Sequence, residues 1–297
     1  MTEKIIEKNS KEITQLIIDN HIFNNFQKQQ EQIQKQKIVL IMMNYYMHPY
    51  IFFNCLALSD ITMACDGGAN RIYNLFEKYN KNQIIDFLEQ KSDIDKVMQK
   101  LQPDYIIGDL DSAKENILIH YEQLGSKIIK DPNQDNTDLG KSIQYFKKQI
   151  LQNDVKNYRF ILLGGLGGRL DHTIQNISTL QQLTMEFKEE YQNQNFLFQL
   201  MDEFSIATCL PPGQQNVYKR SVDLESKLGV GIFTLQKKDM QLRTYGLKWD
   251  IDQEIAEQLE FGKFLSSSNE FLKDQLYVDN NLPVILTTTL KEEKYQV

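Results

Sequence analysis

The strongest structural signal in this chain is the stretch Tyr105-Ile-Ile-Gly-Asp-Leu-Asp-Ser112, in which a short apolar run leads through a glycine to two aspartates. The apolar run predicts a buried strand, and Gly108 lets the backbone turn at its carboxyl end, so Asp109 and Asp111 should project into a crevice there. Two adjacent carboxylates repel each other, and a hard cation such as Mg²⁺ relieves that repulsion while leaving positions open for phosphate oxygens. A solvated Asp-rich turn is the alternative interpretation.

A second acidic segment, Asp131-Pro-Asn-Gln-Asp-Asn-Thr-Asp138, follows the short strand predicted at Lys127-Ile-Ile-Lys130. Apolar residues then recur at three- and four-residue steps, which predicts an amphipathic helix over 139–151. Thr137 or Asp138 can cap this helix, and Asp138 can also bind a metal ion. Because both acidic segments follow apolar runs, together they favour metal and phosphate binding over a solvated turn.

Two glycine-containing turns follow further apolar runs. The first, Asp66-Gly-Gly-Ala-Asn-Arg71, comes after the strand predicted at 61–65 and precedes a segment with helical spacing. Paired glycines allow backbone N–H groups to approach a ligand, and the N-terminus of the following helix favours phosphate. By itself such a turn also fits a tight connection without a ligand.

The second glycine turn is the glycine run Gly164-Gly-Leu-Gly-Gly-Arg-Leu-Asp-His172, which follows Phe160-Ile-Leu-Leu163. No Lys-Ser/Thr pair follows, as a Walker A loop requires, and Leu170 stands where the dinucleotide fingerprint needs a third glycine. We interpret the run as an anion cradle with Arg169 facing phosphate. The alternative is a close crossing of strand and helix with a solvated arginine.

Three regions follow from the pattern along the chain. Strands alternating with helices over 37–190 predict a doubly wound parallel sheet, which binds ligands at the carboxyl ends of its strands. Residues 1–36 are mainly polar with a short apolar stripe, and predict a peripheral helix with a solvated linker, or a partner-binding helix. Over 191–297, short strand-like runs beginning at Phe196–Leu200 predict an all-β domain, a sandwich. The expected fold is therefore an α/β nucleotide-binding domain followed by a β-sandwich.

Composition narrows the functional classes. The chain has 297 residues with 41% hydrophobic and 25% charged residues, and its net charge of −7 argues against sequence-independent binding to nucleic acid or an anionic membrane. Three cysteines without a Cys-x-x-Cys pair predict buried thiols in a reducing compartment rather than disulfides or a zinc site. The start lacks an apolar signal core, and no run approaches the roughly 18 apolar residues of a membrane span. We therefore expect a cytoplasmic protein.

Six ordered motifs resemble the eukaryotic type of thiamine pyrophosphokinase. They are the four loops described above together with Gly246-Leu-Lys-Trp249 and the pair Phe261-Gly262 and Ser267-Ser-Asn269. The resemblance covers about Ile38 to about Thr289. It implies a homodimer with active sites between subunits, in which the pyrophosphate of ATP passes to the hydroxyl of thiamine, giving thiamine diphosphate and AMP.

The resemblance also implies roles for individual residues. It assigns Mg²⁺ and the catalytic role to three carboxylates, those of Asp109, Asp111 and Asp138. Together with the glycine turns, it places the nucleotide and its phosphates against eight residues: Asp66, Gly67, Gly68, Gln134, Gly167, Gly168, Arg169 and Asp171. Thiamine would contact three residues: Trp249, Ser268 and Asn269. The departures from the family pattern are Leu170, where Phe is usual, the additional residues at 1–36 and in part of 80–102, and a loosely aligned segment at 227–236.

Trp249 illustrates the choice between a structural and a functional role. The thiazolium of thiamine is a permanent cation, which suits an aromatic face, whereas a lone tryptophan more often belongs to a hydrophobic core.

Two other functions remain open from the sequence alone. Asp109-Leu-Asp111 is also the Asp-x-Asp pattern by which metal-dependent glycosyltransferases hold a nucleotide-sugar through Mn²⁺, although the segment 131–138 and the glycine run have no task in that interpretation. A non-catalytic nucleotide or thiamine sensor is the third possibility, and the three acidic residues favour chemistry over it.

Overall fold

A computed structural model describes most of the chain. The described ranges are 14–16, 36–152, 155, 157–192, 194–218, 229–236, 239–273 and 275–290. The chain divides into two compact units, an α/β unit of residues 22–183 and 187–203 and a β unit of residues 1–21, 184–186 and 204–297. This division falls at 203/204, later than the boundary at 190/191 expected from the sequence.

The first described segment, β1 (Thr14–Leu16), is a strand that pairs in parallel with residues 215–217. The sequence predicted a helix here, and the rest of the predicted helix and linker lies outside the described residues. Pairing with another strand satisfies the backbone of this short segment, and such tertiary contacts override a weak helical spacing.

The α/β unit contains strands that alternate with helices. Its elements are β2 (Gln36–Met42), α1 (Pro49–Leu58), β3 (Ile61–Cys65), α2 (Gly68–Lys78), α3 (Lys81–Phe87), α4 (Ile94–Met98), β4 (Tyr105–Gly108), α5 (Glu115–Gln123), β5 (Lys127–Lys130), α6 (Asp138–Tyr145), β6 (Asn157–Leu163), α7 (Leu170–Glu190) and β7 (Asn195–Met201). A 3₁₀ turn at Lys91–Asp93 precedes α4, and a π-helical turn at Phe146–Ile150 extends α6.

The strands of this unit are parallel and lie in the order β7-β6-β2-β3-β4-β5. From β2 the chain adds β3, β4 and β5 on one side, then crosses to add β6 and β7 on the other. This reversal makes the sheet doubly wound, and ligands of such sheets bind outside the carboxyl ends of the strands where the order reverses. The parallel sheet predicted from the sequence is confirmed.

Strand β7 differs from expectation. Its apolar run, Phe196–Leu200, was assigned to the all-β domain, but it pairs in parallel with β6. Residues 198–201 are all buried. Apolar residues on both faces, interrupted here by the buried Gln199, are typical of a strand covered on both faces of a parallel sheet, whereas a strand with one solvated face alternates.

The β unit begins after β7. Its further elements are β8 (Ser205–Leu210), β9 (Gly213–Tyr218), β10 (Gly229–Phe233), β11 (Leu242–Tyr245), α8 (Gln253–Ala256), β12 (Ser266–Glu270), β13 (Gln275–Asn280) and β14 (Val284–Thr289). The strands form two groups, β1-β9-β13-β11 and β12-β10-β14-β8. One buried cluster joins residues of both groups, such as Val278 of β13 and Leu286 of β14. The predicted β-sandwich is therefore confirmed.

The cysteines are buried, as predicted. Cys55, Cys65 and Cys209 are free thiols, and loss of hydration raises the pKa of each to about 12. In the described ranges, no helix has both the length and the apolar character needed to cross a bilayer.

Candidate active site

The carboxyl ends of β3, β4 and β5 lie side by side because these strands are neighbours in the sheet. Asp66 follows β3, and Asp138 begins α6 after the loop from β5. Gly108 ends β4 between them: a Cβ atom placed there would lie 2.8 Å from Cβ of Asp66 and 3.2 Å from Oδ1 of Asp138. The missing side chain thus allows two carboxylates from different loops to approach across the end of β4.

Three carboxylates form a compact group at this edge. Asp66, Asp109 and Asp111 each offer one oxygen, and these oxygens lie within 4.8 Å of one another. Leu110, between two of them, has a left-handed backbone with φ of +65°, a conformation rare for a residue with a side chain. Hard divalent cations such as Mg²⁺ prefer oxygen ligands, typically one or two carboxylates together with water and phosphate oxygens, so the residues present fit such a cation. The metal ligands predicted from the sequence were Asp109, Asp111 and Asp138. The compact group contains Asp66 in place of Asp138.

Asp66 also fixes the loop that carries the other two carboxylates. Its two oxygens accept hydrogen bonds from the backbone N–H groups of Ser112 at 3.2 Å and Ala113 at 3.0 Å. Asn70 of α2 holds the same loop, because its side chain accepts from the Lys114 N–H and donates to the Ser112 carbonyl. The start of α2 therefore positions the loop that carries Asp109 and Asp111, a role that the sequence did not reveal for Asn70.

The carboxylate of Asp138 lies beside a buried lysine of the same helix. Nζ of Lys141, one turn further along α6, lies 3.1 Å from Oδ1 of Asp138 and 3.9 Å from Oδ2 of Asp109. Burial raises the pKa of Asp138; the hydrogen bond and charge of Lys141 oppose the rise, and the charges of Asp66 and Asp109 add to it. Sequence reasoning missed Lys141, although its three-residue spacing from Asp138 places both on one helix face.

Gln134 contacts this cluster as well. Its Nε2 donates to Oδ2 of Asp109 at 2.8 Å, and this hydrogen bond holds the pKa of Asp109 below its ordinary value. Thr137 caps α6, since its hydroxyl oxygen accepts from the Gly140 N–H at 3.1 Å. The cap is therefore provided by Thr137, which leaves the carboxylate of Asp138 to the acidic cluster.

The glycine run packs against the segment that follows β2. Gly167 and Gly168 have φ of +83° and +67°, and Cβ atoms there would lie 2.8 and 2.6 Å from the ring of Tyr45. A Cβ on Gly164 would lie 2.9 Å from the Met43 carbonyl oxygen. Close packing therefore accounts for these glycines, and a phosphate-binding role for the run stays a prediction.

The same segment contacts the Gly-Gly turn after β3. Cβ atoms on Gly67 and Gly68 would collide with the Asn44 side chain and the Met42 carbonyl oxygen, respectively. Nε of Arg71 donates to Oδ1 of Asn44 at 3.1 Å. Asn44 and Tyr45 thus connect the two glycine turns on either side of β2, and no sequence motif had marked them.

Arg169 is exposed and paired. Its Nε lies 3.1 Å from Oδ1 of Asp171, and its Nη2 lies 2.5 Å from Oδ2. An exposed pair of this kind contributes little to stability, but two parallel hydrogen bonds fix the plane of the guanidinium. An anion would therefore meet an arginine that Asp171 has already oriented.

Trp249 of the β unit is 56% exposed, so it is a surface side chain rather than a core residue. Asn269 is buried beneath it, accepting from the Trp249 N–H at 3.2 Å and donating to the Trp249 carbonyl at 2.8 Å. Nζ of Lys248 lies 4.5 Å from the centre of the Trp249 ring. Ser268 is exposed with φ of +60°. The three predicted thiamine contacts are thus adjacent, with Asn269 supporting the backbone of Trp249.

Comparison with known families agrees with both units. A family model described as "Thiamin pyrophosphokinase, catalytic domain" matches residues 52–192, and one described as "Thiamin pyrophosphokinase, vitamin B1 binding domain" matches residues 220–285. The chain belongs to the thiamin pyrophosphokinase family. The acidic cluster lies within the first match, and Trp249 and Asn269 lie within the second.

Relatives named as thiamine pyrophosphokinases cover most of the chain. Thiamine pyrophosphokinase 1 of Arabidopsis thaliana is 26% identical over 236 residues, covering 78% of this chain and 79% of the relative. Thiamin pyrophosphokinase 1 of Caenorhabditis elegans is 28% identical over 235 residues, covering 77% and 87%. The solved structure of thiamin pyrophosphokinase from Candida albicans matches with a TM-score of 0.67 at 20% identity, covering 94% and 93% of the two chains, which shows a shared fold.

Proposed function

We propose that this chain transfers the pyrophosphate of ATP to the hydroxyl of thiamine, giving thiamine diphosphate and AMP. The observation that carries the proposal is the group of Asp66, Asp109 and Asp111 at the carboxyl edge of a parallel sheet, within the residues that match the catalytic-domain family. The names of the relatives supply the substrate and reaction. Under this proposal the hydroxyl oxygen bonds to the β-phosphorus, the bond from that phosphorus to the α–β bridging oxygen breaks, and AMP departs while the hydroxyl loses its proton.

The metal in this proposal is Mg²⁺. Asp109, Asp111 and Asp138 would hold it, and the position of Asp66 within 4.8 Å of two of them adds a fourth candidate. When bound, the ion would neutralise negative charge on the transferred group. Gln134 holds the carboxylate of Asp109, and Asp66 and Asn70 hold the loop, so the chain's own part is to keep the ligands in place.

The nucleotide would lie along the same edge of the sheet. Its proposed contacts are Asp66, Gly67, Gly68, Gln134, Gly167, Gly168, Arg169 and Asp171. The support is that backbone segments at the ends of β2, β3 and β6 pack together through Asn44 and Tyr45. Arg169, oriented by Asp171, would offer its positive charge to phosphate.

Thiamine would bind at Trp249 and Ser268, with Asn269 positioning Trp249. The face of the exposed indole ring suits the thiazolium cation. Because the ammonium of Lys248 already lies near this ring, thiamine would either displace it or bind to the same ring beside it. The exposed indole of Trp249 can therefore make a cation–π contact with thiamine.

A homodimer with active sites between subunits and a cytoplasmic location complete the proposal. Leu170 and Ile174, one turn apart at the start of α7, are 72% and 56% exposed and would be covered in a dimer. Light scattering of the purified protein tests this part: twice the monomer mass is expected, and a monomer at micromolar concentration would contradict it.

The reaction is tested by incubating the protein with thiamine, ATP and Mg²⁺ and identifying the products by mass. Thiamine diphosphate and AMP in equal amounts are expected. Thiamine monophosphate with ADP, or no thiamine product, would contradict the proposal. Release of UDP from a UDP-sugar in the presence of Mn²⁺ would instead support the glycosyltransferase alternative, which no observation in the structure favours.

A further inference from the structure

We propose that Lys141 is a positioning residue, a built-in counter-ion that holds the carboxylates of Asp109 and Asp138 in place when no metal is bound. The inference rests on the proposed function in that these carboxylates are taken as the metal site. Its direct support is geometric: one ammonium nitrogen lies 3.1 Å from Asp138 and 3.9 Å from Asp109, and so joins the loops after β4 and β5.

The burial of the three side chains determines what Lys141 can do. The Lys141 side chain is 2% exposed, whereas those of Asp109 and Asp138 are 18% and 34% exposed. The ammonium therefore lies on the protein side of the carboxylates, where a nucleotide cannot reach it. This placement argues against a phosphate-binding lysine and favours one that acts through the carboxylates.

The negative charges of the acidic cluster explain why a buried positive charge at Lys141 is useful. Asp66, Asp109, Asp111 and Asp138 bring four carboxylates to one edge of the sheet, and three of them place oxygens within 4.8 Å of one another. A buried carboxylate or ammonium without a partner is strongly unfavourable. Lys141 offsets part of the repulsion from within the protein, so the ligands stay assembled before a cation arrives.

A lysine that merely fills space in the helix is the competing explanation, and a double-mutant cycle separates the two. Unfolding midpoints in denaturant would be measured without metal, in the presence of a chelator, for wild type, Lys141→Met, Asp138→Asn and the double variant. If Lys141 acts as a counter-ion, Lys141→Met alone is the most destabilised, and adding Asp138→Asn recovers part of the loss. Additive losses would overturn the proposal.

The double-mutant cycle remains informative if Lys141→Met fails to fold. If Lys141→Met does not fold, a folded double variant supports the counter-ion role, since removing the matching negative charge restored the cluster. A double variant that also fails to fold contradicts it, because packing rather than charge would then be what Lys141 supplies.

The response to metal provides a second readout that packing alone would not change. Mg²⁺ should raise the melting temperature of Lys141→Met by more than it raises that of wild type, because the cation then replaces the missing positive charge. Lys81→Met is the matched control, since Lys81 forms an exposed pair with Asp95 on other helices and should keep the wild-type response. An equal Mg²⁺ effect in all three proteins would overturn the inference. Neither readout uses thiamine or turnover, so this inference and the proposed reaction fail separately.

Discussion

The amide side chain of Asn269 bonds to both backbone polar groups of Trp249, accepting from its N–H at 3.2 Å and donating to its carbonyl at 2.8 Å. A buried residue of β12 thereby fixes the backbone that carries this exposed aromatic ring. Because both polar ends of the Asn269 amide bond to Trp249, the proposed substrate contact is the ring of Trp249, and Asn269 has a positioning role.

Removing the ring should weaken thiamine binding. Trp249→Ala is expected to raise the KM for thiamine roughly 2- to 30-fold, since a cation–π contact contributes about 0.5–2 kcal/mol, while the KM for ATP changes little. Trp249→Phe, which keeps an aromatic face, should lie between wild type and Trp249→Ala. Steady-state kinetics with each substrate varied in turn checks this, and an unaltered thiamine KM in Trp249→Ala would refute the contact.

The carboxylates at the ends of β4 and β5 should be needed for turnover but not for folding. Asp109→Asn and Asp138→Asn are expected to lower kcat by several orders of magnitude at saturating Mg²⁺, because each removes one charged ligand of the proposed metal site. The matched control is Asp135→Asn, an exposed acid of the same loop as Asp138 that belongs neither to the proposed metal ligands nor to the group of Asp66, Asp109 and Asp111. Wild-type kcat in either of the first two variants, with circular dichroism confirming the fold of all three, would contradict the assignment.

The absence of a side chain on Gly108, at the end of β4, should be needed for the side chains of Asp66 and Asp138 to lie close to each other. Gly108→Ala would place a Cβ atom 2.8 Å from the Asp66 side chain, and such overpacking typically destabilises a protein by about 1–3 kcal/mol. Affinity for Mg²⁺ should fall as well, because the carboxylates are pushed apart. Isothermal titration with Mg²⁺ measures the second effect.

A stability control accompanies this prediction. Gly125→Ala introduces a side chain at φ of +102° but meets no atom within 4 Å, so it should lower stability through backbone strain alone and leave Mg²⁺ affinity unchanged. Equal losses of Mg²⁺ affinity in both variants would mean that Gly108 acts only through overall stability.

The cysteines should be inert in the folded protein. Burial raises the pKa of each of the three thiols to about 12, so the reactive thiolate is scarce at pH 8 and access is blocked as well. A raised thiol pKa favours the neutral form, so reactivity should increase only as the pH rises towards 12 or as the protein unfolds. A chromogenic disulfide reagent should modify no thiol in the native protein at pH 8 and all three in denaturant; rapid native labelling would contradict the burial.

The sequence predicted the elements that carry long apolar runs. Strands β2, β4 and β6 were predictable because continuous apolar runs are characteristic of strands covered on both faces. The shorter runs of β3 and the edge strand β5 were predicted as strands as well, and parallel strands place their carboxyl ends at one edge of the sheet. That reasoning was sufficient to place Asp66, Asp109 and Asp138 together.

Contacts between distant segments were not predictable. A lysine in an amphipathic helix is normally expected at the surface. Lys141 instead has two carboxylate partners, and it has them only because of how the loops after β4 and β5 fold. Tyr45 lies in a segment without a motif, and its role against Gly167 and Gly168 follows from the neighbouring positions of β2 and β6. The strand at Thr14–Leu16 likewise depends on a partner about 200 residues away in the chain, which local spacing does not encode.

Direct binding of Mn²⁺, observed by electron paramagnetic resonance in the absence of nucleotide, tests the acidic cluster most simply, because the free ion gives a signal that is lost on binding. Wild type and Asp135→Asn should bind the ion with the same affinity, whereas Asp109→Asn and Asp111→Asn should bind it at least about tenfold more weakly, each having lost a charged ligand. Equal affinity in all four proteins would contradict the claim that these carboxylates form the metal site.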